Sequence, residues 1–210
     1  MPADLETIPV SAPRQDAPPV EPPPSEGVPP FLVYRRAMTA PRSSSPPTGA
    51  VLLEWRPSLT SLPPAHVRRP TTWIWWMFHT LRVFRSREFR LLMLVQDGQL
   101  LHRSTVFPPF FRFPFMGRDD VQVGDTWTAE RARGRGLAGV ALRAALASPA
   151  SPGARAWYVV HESNRASIRV VEKEGFELVG RGVRRRRFGS SLFGYYAITA
   201  LERANDERQP

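Results

Sequence analysis

Apolar and polar positions change period several times along this chain, and each change marks an element. Residues 31–36 (Phe-Leu-Val-Tyr-Arg-Arg) and 51–55 (Val-Leu-Leu-Glu-Trp) are short apolar runs that predict two strands, separated by a Ser- and Pro-rich stretch over 41–49. Over 71–84 the period lengthens. Trp73, Trp76, Met77, Thr80, Leu81 and Phe84 recur three and four residues apart, which predicts a helix presenting that face to a core. Arg82 and Arg85 stand near its C-terminal end, where cations are favoured. Residues 88–96 and 99–107 are β-like runs joined by Asp97-Gly98, a pair suited to the positive φ angles of a two-residue hairpin turn. A Pro- and Phe-rich connection over 108–115 leads to a further strand over 121–128.

The second half alternates between the two periods. A turn, Arg133-Gly-Arg-Gly136, opens a segment over 137–147 rich in Ala and Leu, both strong helix formers, and Pro149 and its neighbours up to Gly153 stop it. Residues 154–161 are a nearly continuous apolar run that predicts a strand. Residues 164–174 predict a helix closed by Gly175, and 176–187 and 192–201 predict two last strands. An antiparallel start followed by strand, helix, strand, helix and strands predicts a mixed α/β sheet.

Thirteen of the 23 prolines precede Thr48, and residues 1–30 carry too little apolar surface to fold. The expected organisation is a disordered tail over 1–30, one domain over 31–202 with its motifs in 90–201, and a short disordered tail over 203–210. The net charge is +10, but five acids and one base in residues 1–30 leave +14 on the remainder, a surface that attracts anions. There is no cysteine, which excludes disulfides, thiolate zinc sites and Cys nucleophiles, and four unclustered histidines give no reason to expect a metal. The apolar run at 73–78 falls well short of the ~20 residues that span a bilayer. The acidic, Pro-rich start is unlike a secretory signal, so the expected location is cytoplasmic.

The segment with the most chemistry is the strand–turn–helix over 121–147. Gly134 and Gly136 remove side chains where a ligand approaches the backbone, and the helix that follows aims its first unpaired N–H groups at the turn. Arg131, Arg133 and Arg135 add positive charge there, which makes a cradle for a pyrophosphate. Gly-Lys-Ser/Thr of a P-loop is absent. The letters Gly134-x-Gly136-x-x-Gly139 do not open a leading βαβ unit, as a dinucleotide fingerprint requires.

Arg133-Gly-Arg-Gly136-Leu-Ala138 resembles the Arg/Gln-x-x-Gly-x-Gly/Ala signature of the GNAT N-acetyltransferase family. About thirty residues on, the segment from Asn164 to Gly175-Phe176 is similar to that family's second signature, an Asn-led helix ending in Gly-Phe. The resemblance covers roughly 90–201. It implies a central mixed sheet of about six or seven strands with helices on both faces. The family's fourth and fifth strands, here 121–128 and 154–161, would splay apart to admit acetyl-CoA as co-substrate. It further implies cofactor contacts at Trp127, Thr128, Arg133, Gly134, Arg135, Gly136, Leu137 and Ala138, with Asn164 and Ser167 as pantetheine or nucleotide contacts. Backbone N–H groups near Trp127 and Thr128 would polarise the acetyl carbonyl, and an amine would attack the thioester directly.

Such an attack needs a base and an acid. Many members carry a Tyr acid four residues before the Gly of the second signature, and here that position is Val171. Asp125 on the fourth family strand is the candidate base, and His161 at the end of the fifth is a second proton-transfer candidate. Either residue is also readable as purely structural. Tyr158 is expected in the core, and His102 on a hairpin strand is expected to be structural or to face the acceptor. The rings Phe110, Phe111, Phe113 and Phe115 either grip an apolar acceptor or cover the sheet. Four arginines at 184–187 read as a solvated sheet edge. Small amines, amino sugars and protein amino groups all stay open as acceptors, and pairing of two copies through the late strands stays open too. Two other readings are kept: a catalytically weak CoA-binding module, motivated by Val171, and a basic protein that binds nucleic acid or a membrane surface. Nucleic acid is not expected as a partner.

Overall fold

The computed structural model describes residues 30–38, 45–147 and 153–200. The expected tails (apart from Pro30), residues 41–44 of the first linker and residues 149–152 of the helix stop lie outside the described residues. In chain order the elements are β1 (Phe31–Ala37), β2 (Val51–Trp55), α1 (Pro70–Thr80), β3 (Arg90–Gln96), β4 (Gln99–Phe107), β5 (Val121–Thr128), α2 (Leu137–Leu146), β6 (Arg155–His161), α3 (Arg165–Lys173), β7 (Glu177–Arg187) and β8 (Ser190–Ala200).

Among the described residues eight strands form one sheet in the order β2-β3-β4-β5-β6-β1-β7-β8, matching the eight runs read from the sequence and one or two more than the resemblance implies. The β2–β5 run is an antiparallel meander, and β5 meets β6 in parallel, which makes the sheet mixed as expected. The position of β1 is not legible from sequence order. It lies between β6 and β7 and pairs antiparallel with both, with Val33 and Tyr34 fully buried.

Each face of the sheet has its own core. On one face α2 and α3 bring Leu142, Leu146, Ile168 and Val171 against Val121, Val123, Tyr158 and Val160. On the other, α1, the loop after it and the Phe-rich connection cover β3, β4 and β6 with aromatic rings, among them Trp75 and Phe78 of α1, Phe84 and Phe89 of the loop and Phe110 of the connection. Alternation along β6 divides the strand between them, Tyr158 on the α2/α3 side and Trp157 on the α1 side. Helices therefore flank both faces, as the resemblance implies.

Helix α1 departs from the prediction in length and in face. It ends at Thr80 rather than near residue 84, because Arg82 turns left-handed (φ 56°). The amides of Arg82 and Val83 then close the helix on the carbonyls of His79 and Phe78. Thr72, Trp75 and Phe78 face the core, whereas Trp73 and Met77 are 40% and 42% exposed. Either helical stripe is aromatic, so periodicity could not choose between them. Helix α3 closes in the same manner at Gly175 (φ 77°), with Gly175 and Phe176 amides on Glu172 and Val171. Among the described residues no helix is long and apolar enough to cross a membrane.

Candidate active site

Pairing between β5 and β6 lasts only from Val121↔Ala156 to Val123↔Tyr158. Beyond Val123, β6 continues against β1 and β5 continues against β4, so a gap opens between β5 and β6. A bulge drives the divergence. Three steps on β5, from Gly124 to Trp127, oppose two on β4, from Thr105 to Arg103. Asp125 sits in the bulge with φ 46°, a left-handed angle that Asp tolerates better than most side chains. Among the described residues the β6-facing edge of β5 past the bulge has no partner strand.

A cavity of about 620 Å³ runs along this edge on the α2/α3 face. Gly134, Gly136 and the first residues of α2, Leu137 and Ala138, line one end. Both glycines adopt φ near +75° (78° and 74°), and a Cβ on either would project into open space, so the backbone there is bare toward the cavity. The orphan N–H groups of the first α2 turn and the helix dipole attract an anion to that end. Arg133 adds its charge beside an exposed 3.5 Å pair with Glu130. Arg169 and Lys173, four residues apart on α3, line the same cavity and put cations on its other wall.

At the gap the lining turns to hydroxyls: Ser104, Thr126, Thr128 and Tyr158. They are linked. Tyr158 OH donates to Thr126 Oγ1 at 3.4 Å, and Thr126 Oγ1 lies 3.3 Å from Ser104 Oγ. Ser104 Oγ lies 2.9 Å from His102 Nε2, and His102 Nδ1 lies 2.8 Å from Thr128 Oγ1. His102 is completely buried, and burial, reinforced by the Arg103 charge, pushes its pKa down to about 4. The imidazole is neutral at neutral pH, so one ring nitrogen donates and the other accepts within the chain.

A second, smaller cavity of about 240 Å³ lies on the opposite face of the sheet, lined by α1, the Phe-rich connection, β8 and the other side of β5. Asp125 lines this one. Its carboxylate accepts from Arg103 Nη1 at 2.5 Å, and Arg103, only 5% exposed, also donates to the Asp125 carbonyl. A buried guanidinium needs a counter-charge, so the pair fixes the position of the carboxylate.

The model of the acetyltransferase (GNAT) family matches residues 51–176, more than half of the chain. The chain belongs to that family. No curated protein matches it. Among solved structures, a putative GNAT acetyltransferase from Novosphingobium aromaticivorans is 22% identical at a TM-score of 0.47, covering 78% of this chain and 67% of that one. A GCN5-related N-acetyltransferase from Kribbella flavida is 13% identical at 0.40, covering 71% and 54%. A tandem GNAT protein from the clavulanic acid biosynthesis pathway is 17% identical at 0.46, covering 75% and 52%. The chain thus spans about half to two thirds of the length of these structures. It is a GNAT acyltransferase, and the family's donor is an acyl-CoA.

The GNAT cavity fits such a donor. It joins an anion cradle at the α2 N-terminus to an unpaired strand edge, and an extended pantetheine arm is the kind of chain that adds to such an edge. Of the residues singled out in the sequence, Trp127, Thr128, Arg133, Gly134, Gly136, Leu137, Ala138, Asn164 and Ser167 all line it. Arg135 does not line it and reaches Gln96 instead, at 3.2 Å. Asn164 Oδ1 is engaged as the α3 cap, accepting from Ser167 N at 3.1 Å. His161 lines neither cavity. Its Nδ1 lies 2.7 Å from Ser163 Oγ, and its ring packs on Phe31. Sequence reasoning missed the hydroxyl chain and the α3 cations. The cations were findable, because Arg169 and Lys173 fall one helical turn apart after the Asn164 start. The chain was not, because it joins three strands.

Proposed function

We propose that this GNAT member transfers an acetyl group from acetyl-CoA to an amine, with the donor in the larger cavity and the amine entering from the smaller. The observation that carries this reading is that both cavities reach one short stretch of β5 from opposite faces. Val123 and Thr126 line the first, and Gln122, Gly124 and Asp125 line the second. Acetyl-CoA supplies an activated acyl group on a thiol leaving group. The α2 N–H groups with Arg133 hold the pyrophosphate, and Arg169 with Lys173 hold a further phosphate. The bare edge of β5 near Trp127 and Thr128 orients the pantetheine arm. Asp125, positioned by its ion pair with Arg103, takes the proton from the incoming ammonium, directly or through water. Tyr158 stands in the gap and gives its hydroxyl proton to the departing sulfur, while Thr126, Ser104 and the neutral His102 orient that hydroxyl and pass a proton back to it. This assigns the acid to β6, since Val171 is buried in the core at the position of the usual Tyr. The module without turnover is disfavoured by the same phenol.

Calorimetric titration tests the reading. Acetyl-CoA binds and ATP and NAD do not. A folded Gly136→Trp variant loses acetyl-CoA binding at least tenfold. Tyr158→Phe keeps binding but loses about 100-fold in kcat. Undiminished affinity in folded Gly136→Trp removes the cradle, and an unchanged kcat in Tyr158→Phe removes the acid.

A further inference from the structure

On the reading that an amine reaches the thioester through the smaller cavity, the chemistry of that cavity narrows which amine. At about 240 Å³ it lies below the roughly 300–1,000 Å³ of drug-sized sites, so it takes a small metabolite. Its walls are the rings of Trp75, Phe107, Phe110, Phe113 and Tyr196. The rings hold one another: Trp75 packs edge-on to Phe107 at 4.9 Å, Phe110 edge-on to Phe113 at 5.3 Å, and Phe113 stacks on Tyr196 at 5.5 Å. The cavity is thus preformed and suited to an aromatic or large apolar group.

Buried polar atoms among these walls include the Trp75 indole Nε1 and the Gln122 amide Oε1, for which no hydrogen-bond partner stands among the described residues. Native structures rarely keep such atoms without a use. Gln122 is 4% exposed, and its amide nitrogen donates to the Val123 carbonyl at 2.8 Å. That bond fixes the amide orientation, and the whole amide lies against Gly124, where a Cβ would meet its nitrogen at 2.7 Å and its oxygen at 3.2 Å. An acceptor atom with the Asp125 carboxylate beside the gap is a site for an amino group. On the opposite wall the Arg112 guanidinium lies over the Trp75 ring at 5.9 Å and over Phe110 at 6.0 Å. An indole N–H and a guanidinium on one wall are a site for an anion.

We propose that the acceptor is a free amino acid with an aromatic or large apolar side chain. Its amino group sits at Gln122 Oε1 and Asp125. Its carboxylate accepts from Trp75 Nε1 and faces Arg112, and its side chain packs among the rings. The amine nitrogen forms the new C–N bond to the acetyl carbon as the C–S bond breaks. The ammonium gives one proton to Asp125 before attack, the departing sulfur takes the Tyr158 proton, and the second proton of the nitrogen returns through water to the Tyr158 phenolate, so the products are an N-acetyl amino acid and CoA.

Thiol release from acetyl-CoA is followed with L-phenylalanine, L-phenylalaninamide and 2-phenylethylamine as acceptors. These share the ring and the amine and differ in the carboxylate. The free acid is expected to exceed both others at least tenfold in kcat/KM, the scale of a charge-assisted hydrogen bond. Trp75→Phe keeps a ring and removes the N–H. It is expected to raise KM for the acid about tenfold more than it raises KM for 2-phenylethylamine. Turnover of all three acceptors at equal rates overturns the amino-acid assignment and leaves the transfer reading standing, and so does a preference that Trp75→Phe leaves intact. Thiol release with no amine at all overturns both. The acceptor series uses the unaltered protein, so the assignment stays testable if the variant does not fold.

Discussion

His102 shows how much a single side chain can hide. It sits in a hairpin strand, and its sequence leaves it either structural or facing the acceptor. In the fold it is enclosed completely and joined to Thr128 and Ser104. Its pKa falls from 6.5 to about 4, chiefly by burial. Below pH 6.5 the unfolded chain accepts a proton here that the folded chain refuses. Stability from this group is therefore complete above pH 6.5 and declines as pH falls toward 4, by about 3 kcal/mol in all. Urea unfolding of the protein and of His102→Asn at pH 7.5 and pH 4.5 checks the sign. The variant is expected to be less stable at pH 7.5 and to lose less on acidification, and equal losses would rule out His102 as the acid-labile group. Asn164 and Ser167 are the contrary case. Their local pattern was readable because a helix cap is a local device.

Among the elements, β5 decides the site. Its sequence predicts an ordinary strand over 121–128, and its limits are those observed. The bulge at Asp125 is invisible in the letters, because it follows from how three residues of β5 match two of β4. Asp125 answers two demands, a left-handed φ and a counter-charge for buried Arg103. Asp125→Asn keeps the tolerance for that φ and one acceptor oxygen, and is expected to cost about 1 kcal/mol or less. Asp125→Val places a β-branched residue at positive φ and strips the partner from Arg103, at a cost of about 3 kcal/mol after allowance for partial exposure of the carboxylate. Urea midpoints separate the two, and equal destabilisation would remove the backbone argument. Helix α1 teaches a related lesson. Its existence was legible, but its inward stripe was set by the Phe-rich connection it packs against, with Trp75 6.1 Å and Phe78 6.5 Å from Phe110.

At the scale of the molecule, β1 ties the sheet together. The family match begins at residue 51, yet the central slot between β6 and β7 is filled by Phe31–Ala37. Without that strand, both neighbours lose a ladder and the two cores lose Val33 and Tyr34. Removing residues 1–29 is expected to leave the melting temperature unchanged. Removing residues 1–38 is expected to abolish cooperative melting, and a folded protein starting at residue 39 would overturn this role for β1. Element types, most strand limits, the glycine turn at the start of α2 and the family itself were legible, because they rest on local rules: hydrophobic period, turn chemistry and helix starts. Tertiary structure alone decided the slot of β1, the inward stripe of α1, the bulge, the hydroxyl chain and the placing of Asp125 and His161 relative to the cleft. Each depends on strands distant in sequence meeting in one register, and a linear pattern carries no record of register between such strands.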